Sequence, residues 1–236
     1  MRASPVAATD KPTSASPSAA QALADFVDAP DYPCLGAKAA FARQSVQLIE
    51  AGDLHGAQHD EAIVAALQRF AGEAPADAVF VSVVVLFAPL LCALTEPAFE
   101  QALWQRLQAL HALDRRQFGW DPQVSSDPAS PHFSMSLGGK AFYVVGLHPA
   151  ASRPARRYRQ PALVFNLHSQ FEQLRADGRY QKLREAIIER DRAYAGSVNP
   201  MLSMHGKGPE APQYSGRRVE ADWVCPFHAQ VPGARG

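Results

Sequence analysis

Cysteine is scarce in this chain. There are three in 236 residues, Cys34, Cys92 and Cys225. The number is odd, the spacings are long and no CxxC pair occurs, which disfavours a disulfide framework and a structural zinc site. Net charge is lacking as well: 23 Lys and Arg balance 23 Asp and Glu. Bulk attraction to nucleic acid or to an anionic membrane is therefore not expected. No apolar run reaches the roughly 18 residues of a membrane span. The nearest approach, Val79 to Leu94, is interrupted by Ser82 and Pro89. The N-terminus has no apolar h-region, so no secretion signal is expected, and a reducing cytoplasm is the expected location. Internal repeats are absent, as are a P-loop, a GxGxxG turn and a GxSxG elbow. The common nucleotide-binding and serine-hydrolase designs are thereby set aside.

What is present is a globular composition, 47% hydrophobic, in a length that suits one domain with an appended arm. Charge is unevenly placed. The part before about residue 113 is net acidic, and the part after it is net basic by about the same amount. The basic excess centres on Arg153 to Arg192, which suggests a local anion site and not a polyanion-binding face. Residues 1–23 are rich in Ala, Ser, Pro and Thr and are expected to form a disordered arm. The domain is expected over 24–228, with Phe26 and Tyr32 anchoring its start, and residues 229–236 as a disordered tail. Tyr214, Trp223 and Phe227 give the irregular C-terminal segment enough apolar mass to pack back over the fold.

Periodicity predicts helices over 37–51, 58–71, 96–118, 169–177 and 179–194. Thr95 caps the third of these, and Phe99, Leu103, Leu107 and Leu110 share one face of it. Strands are predicted at about 79–87, 133–137, 141–147 and 161–167. The expected class is α+β, a single domain with a mainly antiparallel sheet and helices packed on it. The first strand, AVFVSVVVLF, is apolar on both faces and should be central. Cys92 follows it on an apolar background and reads as a core residue. His55 and His59 are spaced i,i+4, but a glycine lies between them and no HExxH accompanies them, so they read as surface residues.

The densest chemistry lies in FSMSLGGKAFYVVGLHPAASRPARRYR, residues 133–159. Phe133, Met135 and Leu137 alternate with serines, Gly138-Gly139 is a turn signal, and Ala141 to Leu147 returns as a second strand. The hairpin delivers His148 to its open end. Pro149 then forces the chain out of the sheet, and Ser152, Arg153, Arg156, Arg157 and Arg159 follow. An imidazole beside a set of guanidinium groups is suited to a flat anionic ligand. A capped hairpin followed by a solvated basic loop is the competing reading. His168 ends the strand PALVFNLH in the same manner, which would bring it near His148 if the two strands are neighbours. Cys34 directly precedes a helix start, where the helix dipole would favour thiolate; a buried structural cysteine beside Pro33 is the competing reading. The basic run lacks the interleaved aromatic platform of a single-strand binder.

PCLGAKAAF at 33–41, the 133–159 run, PALVFNLHSQFEQL at 161–174, Asn199-Pro200, QYSGR at 213–217 and WVCPF at 223–227 together resemble the YqcI/YcgG family over residues 26–227. HPxxSR combined with W-x-CPF carries most of the specificity. The resemblance implies a haem-dependent N-oxygenase, an N-hydroxylase acting on a guanidino or amino nitrogen of a small metabolite in specialised-metabolite biosynthesis. It implies haem b as cofactor, with His148 as axial iron ligand and Cys225, Cys34 and His168 as alternatives. Ser152, Arg153, Arg156 and Arg157 would then belong to the cofactor site, with the arginines on the propionates. Asp127, Glu172 and Asp222 are candidate carboxylates for a cationic substrate. Dioxygen and a separate reductase would be partners, since no flavin or nicotinamide motif occurs, and the sequence leaves a homodimer open. A non-catalytic haem carrier or sensor needs the same pocket. A cofactor-free hydrolase using His148 or Cys225 is a third reading.

Overall fold

Five residues, Ser82–Leu86, form a strand buried along its whole length, and the rest of the domain is layered about it. β-Branched side chains on both faces of SVVVL favour extended backbone and give each face something to cover. The computed structural model describes residues 17–92, 94–201 and 208–230. Within them the order is α1 (Ala19–Asp28), α2 (Leu35–Ala42), β1 (Val46–Glu50), α3 (Asp60–Glu73), β2 (Ser82–Leu86), α4 (Glu96–Asp114), β3 (Met135–Leu137), β4 (Lys140–Leu147), β5 (Ala162–Leu167), α5 (His168–Ala176) and α6 (Tyr180–Ala195). Short 3-10 turns stand at Pro154–Arg156 and Ala211–Gln213.

The five strands make one sheet in the order β1-β2-β5-β4-β3. The α+β class is as expected, and the β3–β4 hairpin turns on Gly138 and Gly139, both at positive φ (61° and 68°). That conformation is cheap for glycine alone. The sheet is mixed: β2, β5, β4 and β3 pair antiparallel, while β1 lies parallel to β2 at the edge.

That edge strand corrects the expected helix over 37–51. The helix stops at Ala42, and Gln44 takes a left-handed φ of 55°. Ser45 Oγ then donates to Phe80 O at 2.6 Å, and the chain re-emerges as a strand beside β2. The apolar residues of 37–51 fit helical spacing, but Leu48 and Val46 also sit two apart, as a strand requires.

The sheet is covered on both faces. Val83, Val85, Phe142, Val144, Leu163 and Phe165 point to α3 and α4. Val84, Leu86, Leu147 and Ala162 point the other way, toward Leu23, Phe26, Phe41 and Tyr158. Phe26 and Tyr32 are the anchors expected of the domain's start, packed edge to face at 5.1 Å. The folded part begins earlier than residue 24, however. Ser18 caps α1 by accepting from Gln21 N, and Leu23 and Val27 are buried. The rest of the expected arm, residues 1–16, lies outside the described residues.

The aromatic tail packs as expected: Tyr214 and Phe227 are fully buried in the α3/α4 core. It extends past the expected boundary, since Gln230 N donates to His111 Nε2 at 2.9 Å. Residues 231–236 lie outside the described residues. Cys92, expected in the core, is exposed in the loop after β2. His55 is exposed as expected, whereas the His59 ring is half-buried and accepts from Gly52 N at 3.1 Å.

Gly146 is the closest approach of β4 to α4. A Cβ built there would meet Phe99 Cε1 at 2.7 Å and Leu103 Cδ1 at 2.8 Å. Gly146→Ala should therefore destabilise the fold by about 1–3 kcal/mol, the usual cost of overpacking a core. Urea unfolding measures it, and an unchanged midpoint would mean that Phe99 and Leu103 yield.

Candidate functional site

A cavity of about 300 Å³ lies between the sheet and the layer formed by α1, α2, α5 and α6. Its floor is the strand face of Ser82, Val84, Tyr143, Val145, Val164 and Asn166, every second residue of β2, β4 and β5. Helical side chains such as Val27, Phe41, Leu174 and Ile187 close it from above. A slot with a flat apolar floor and apolar walls, at the lower end of the roughly 300–1,000 Å³ of small-molecule sites, takes a flat or slender ligand.

Polar groups line the slot as well. Cys34 is the N-cap of α2, and its Sγ accepts from Ala37 N at 3.4 Å. The expected thiolate does not follow. Burial pushes the Cys34 thiol above its ordinary value, while the N–H groups of Ala37 and Gly36 and the charge of Arg156 pull it back only in part. Burial, the largest cause, wins over the helix terminus. Burial likewise raises the phenols of Tyr32 and Tyr143, which border the same slot.

Two of the predicted arginines reach the cavity. Arg153 donates to Asp191 Oδ2 at 2.5 Å and to Ser197 O at 2.9 Å, so its charge is compensated. Arg156 is different. It donates to Gly146 O at 3.1 Å, Tyr214 O at 3.2 Å and Gln213 O at 3.1 Å. Among the described residues no carboxylate stands within ion-pair distance of it. A half-buried guanidinium held by carbonyls keeps its positive charge to offer to an anion. Arg157 points elsewhere and clamps its own loop through Ala151 O and Ser152 O. Ser152 donates through N and Oγ to Glu96. Neither Arg157 nor Ser152 borders the cavity.

The other predicted ligands do not converge on it. His148 leaves the end of β4, stacks on Phe99 at 4.2 Å and lines a second cavity of about 210 Å³ with Leu90, Leu94, Pro149, Arg159 and Pro161. Its Nδ1 is buried with no hydrogen-bond partner among the described residues. Burial carries its pKa down to about 4, against a weaker upward pull from Glu96. Cys225 lies in the aromatic core on the far side of the sheet, and burial pushes its thiol up to about 12. His168 opens α5, with Nδ1 3.0 Å from Ser134 Oγ and Nε2 3.3 Å from Glu172. β4 and β5 are neighbours, as the juxtaposition of the two histidines required, but they are antiparallel. Leu147 pairs with Ala162 and Phe142 with Leu167. The two strand ends are therefore separated by five residues, roughly 17 Å of strand.

The expected substrate carboxylates fail in the same way. Asp127 is exposed and caps Ala129 N. Glu172 pairs with Arg175 and His168 on the α5 surface. Asp222 is exposed in the turn before Trp223. The one carboxylate that lines the slot among the described residues is Asp191. A signal for it existed, because Leu183, Ile187 and Asp191 are spaced by four and place an acid on the inward stripe of α6. Phe80 is a second residue that pattern reading passed over. It borders the slot at a left-handed φ of 60°, rare for a bulky residue, and the buried Gln170 holds it by accepting from Phe80 N at 2.9 Å.

Among the described residues no cluster of three or more His, Cys, Asp or Glu side chains is arranged to hold a bare metal ion, and no helix is long and apolar enough to cross a membrane. The site is that of a three-layer α+β protein with one internal apolar slot, a sulfur and a spare cation. A family model for the YqcI/YcgG family matches residues 23–228, and the chain belongs to that family. No curated protein and no solved structure is matched by it.

The His148 geometry has a pH consequence. Its folded pKa of about 4 lies below the ordinary value of 6.5, so the unfolded chain binds the extra proton between these limits. Stability is fully present above pH 6.5 and is lost as pH falls toward 4, by about 3 kcal/mol at most. His148→Gln should flatten that limb of the stability profile measured by denaturant unfolding. An equally steep limb in the variant would assign the effect to other groups.

Proposed function

We propose that this chain is a haem-dependent N-oxygenase whose cofactor lies in the slot between the sheet and the α1/α2/α5/α6 layer. The observation that supports this most is the donor set of that slot: one sulfur on an N-cap, one guanidinium without a carboxylate, and apolar walls on both sides. Those residues fit haem. Cys34 would hold the iron through its sulfur, since a cationic metal would favour the thiolate over the thiol. Arg156 would hold a propionate in the charge-assisted manner that its carbonyl clamp leaves available.

Bound there, haem would supply the iron that activates dioxygen, with electrons from a separate reductase. The protein's own part is positional. Val84, Val145, Val164 and Leu174 exclude water from the reacting nitrogen. Asp191 orients an amine or guanidine through N–H···O bonds, with Arg153 fixing the carboxylate from its other side. Asn166 and Tyr143 offer neutral hydrogen bonds on the sheet side.

Haem added to the purified protein should produce a Soret band, and the ferrous–carbonyl spectrum should have the position of thiolate ligation. Cys34→Ser should abolish that signature, whereas His148→Ala and Cys225→Ala should keep it. A small guanidino or amino compound should perturb the spectrum and be oxidised at nitrogen when reductant and dioxygen are supplied. A protein that takes up no haem ends the proposal. One that binds haem but turns over no nitrogenous compound returns the chain to the carrier or sensor reading.

A further inference from the structure

Four oxidisable rings run in contact from the flank of the protein to its slot. Trp223, half-buried in the C-terminal segment, lies 6.3 Å from Trp104 of α4, centroid to centroid. Trp104 is stacked on Tyr214 at 5.4 Å with planes 17° apart. Tyr214 meets Tyr143 edge-on at 5.6 Å. Tyr143 borders the slot. Indole and phenol are the side chains that give up single electrons most readily, and near-contact between successive rings lets a charge hop from one to the next. Phe133 and Phe227 pack around the series but cannot join it.

The polar ends of these rings are placed for the protons that must move. Tyr143 OH donates to Gln213 Oε1 at 3.1 Å. Tyr214 OH donates to Phe142 O at 3.2 Å. Trp104 Nε1 is buried with no acceptor among the described residues, so its oxidised form keeps its proton and passes charge as a cation. Trp223 Nε1 donates to Glu100 at 3.1 Å, a carboxylate that also accepts from Ser215 and Arg217. The series thus has a proton acceptor at its outer end and none at its centre.

We propose that Tyr143, Tyr214, Trp104 and Trp223 form a one-electron relay that drains an oxidising equivalent from the slot to the protein surface. The oxidant is of the class that a redox cofactor generates from dioxygen or peroxide, and in that respect the relay's use rests on the proposed function; its conduction does not. The oxidant gains one electron from Tyr143, whose proton shifts along its hydrogen bond to Gln213. Tyr214 refills Tyr143, whose proton returns, and the proton of Tyr214 shifts along its own hydrogen bond to Phe142 O until Tyr214 is refilled in turn. Trp104 refills Tyr214, and Trp223 refills Trp104. Trp223 then loses its Nε1 proton to Glu100. The sum is one oxidant reduced, one neutral indolyl radical at Trp223 and one protonated Glu100. A thiolate in solution restores the resting state by giving Trp223 one electron and leaving as a thiyl radical, while Glu100 returns its proton to Trp223 Nε1. Because indole and phenol yield electrons only to strong oxidants, the relay carries holes outward and is not the path by which a reductase feeds the slot.

Pulse radiolysis of the full-length, cofactor-free protein with azide radical tests this. In a Cys92→Ser/Trp120→Phe background, Trp223 is the indole open to solvent. With no thiol present to drain Trp223, the hole should run back along the same rings, the indolyl absorbance decaying as phenoxyl absorbance rises, at a rate independent of protein concentration. Trp104→Phe, which keeps an aromatic ring in the core, should slow the transfer about tenfold. Tyr143→Phe/Tyr214→Phe should remove the phenoxyl rise that matches the decay. Near-ultraviolet circular dichroism checks that each variant is folded. If Trp104→Phe does not fold, Trp223→Phe, at a half-buried position, should abolish both the initial indolyl signal and the coupled rise. Transfer that scales with protein concentration, or that is indifferent to Trp104 or Trp223, overturns the relay; a packing role alone would leave these rates unmoved. A relay in a protein that takes up no haem would bring down the proposed function and leave the relay standing, and haem binding without a relay would do the reverse.

Discussion

The guanidinium of Arg156 joins three parts of the chain that are far apart in sequence. It reaches Gly146 O on β4 and Tyr214 O and Gln213 O on the returning tail, and Gly146 N donates to Tyr214 O at 2.7 Å across the same junction. Neutral carbonyls satisfy its N–H groups without cancelling its charge. The same contact that seals the tail to the sheet therefore sets the electrostatic character of the slot. Gly146 has to be glycine-sized for this, since α4 presses on it from the opposite face.

From that junction the two sides of the sheet acquire different chemistry. Toward α3 and α4 lies a dry aromatic core, with Trp104, Tyr214, Phe133 and Phe227 in mutual contact. Arg106 is engaged there, pairing with Asp60 and donating to Leu54 O, whereas Trp104 Nε1 has no acceptor among the described residues. Toward α1, α2, α5 and α6 the layers part and leave the slot. Tyr143 and Tyr214 touch beside β4, so the aromatic core and the slot are in contact there.

The amino-acid pattern was enough for the class, the hairpin, the central strand and the packing of the aromatic tail, because each rests on local periodicity or on a turn residue with one favoured conformation. Gly138-Gly139 and Thr95 are cases of the second kind. The site was only partly legible. Arg153, Arg156 and Cys34 were marked by residue type, and all three border the slot. His148, His168 and Cys225 were marked in the same way, and tertiary geometry separates them. Two histidines at the ends of adjacent strands are neighbours only if the strands run parallel, and sequence spacing does not reveal strand direction. Cys34 shows a second limit. A helix terminus lowers a thiol pKa, but the depth of burial that opposes it depends on tertiary packing, including α6, more than a hundred residues away. Asp191 went unnoticed because a charge on a charged helix draws no attention until its i−4 and i−8 neighbours are seen to point inward.

The seating of Tyr214, Trp223 and Phe227 against α4 has a consequence for how the molecule comes into being. Glu100 is bridged to Ser215, Arg217 and Trp223, and Gln108 to His228, spans of more than a hundred residues. Contacts of such long range are closed late, since chain entropy must be surrendered before they form. A ribosome making this protein has released the chain past Phe227 before the aromatic core can be completed. Until then one flank of α4 is left bare, a surface on which chaperones or nascent neighbours would act.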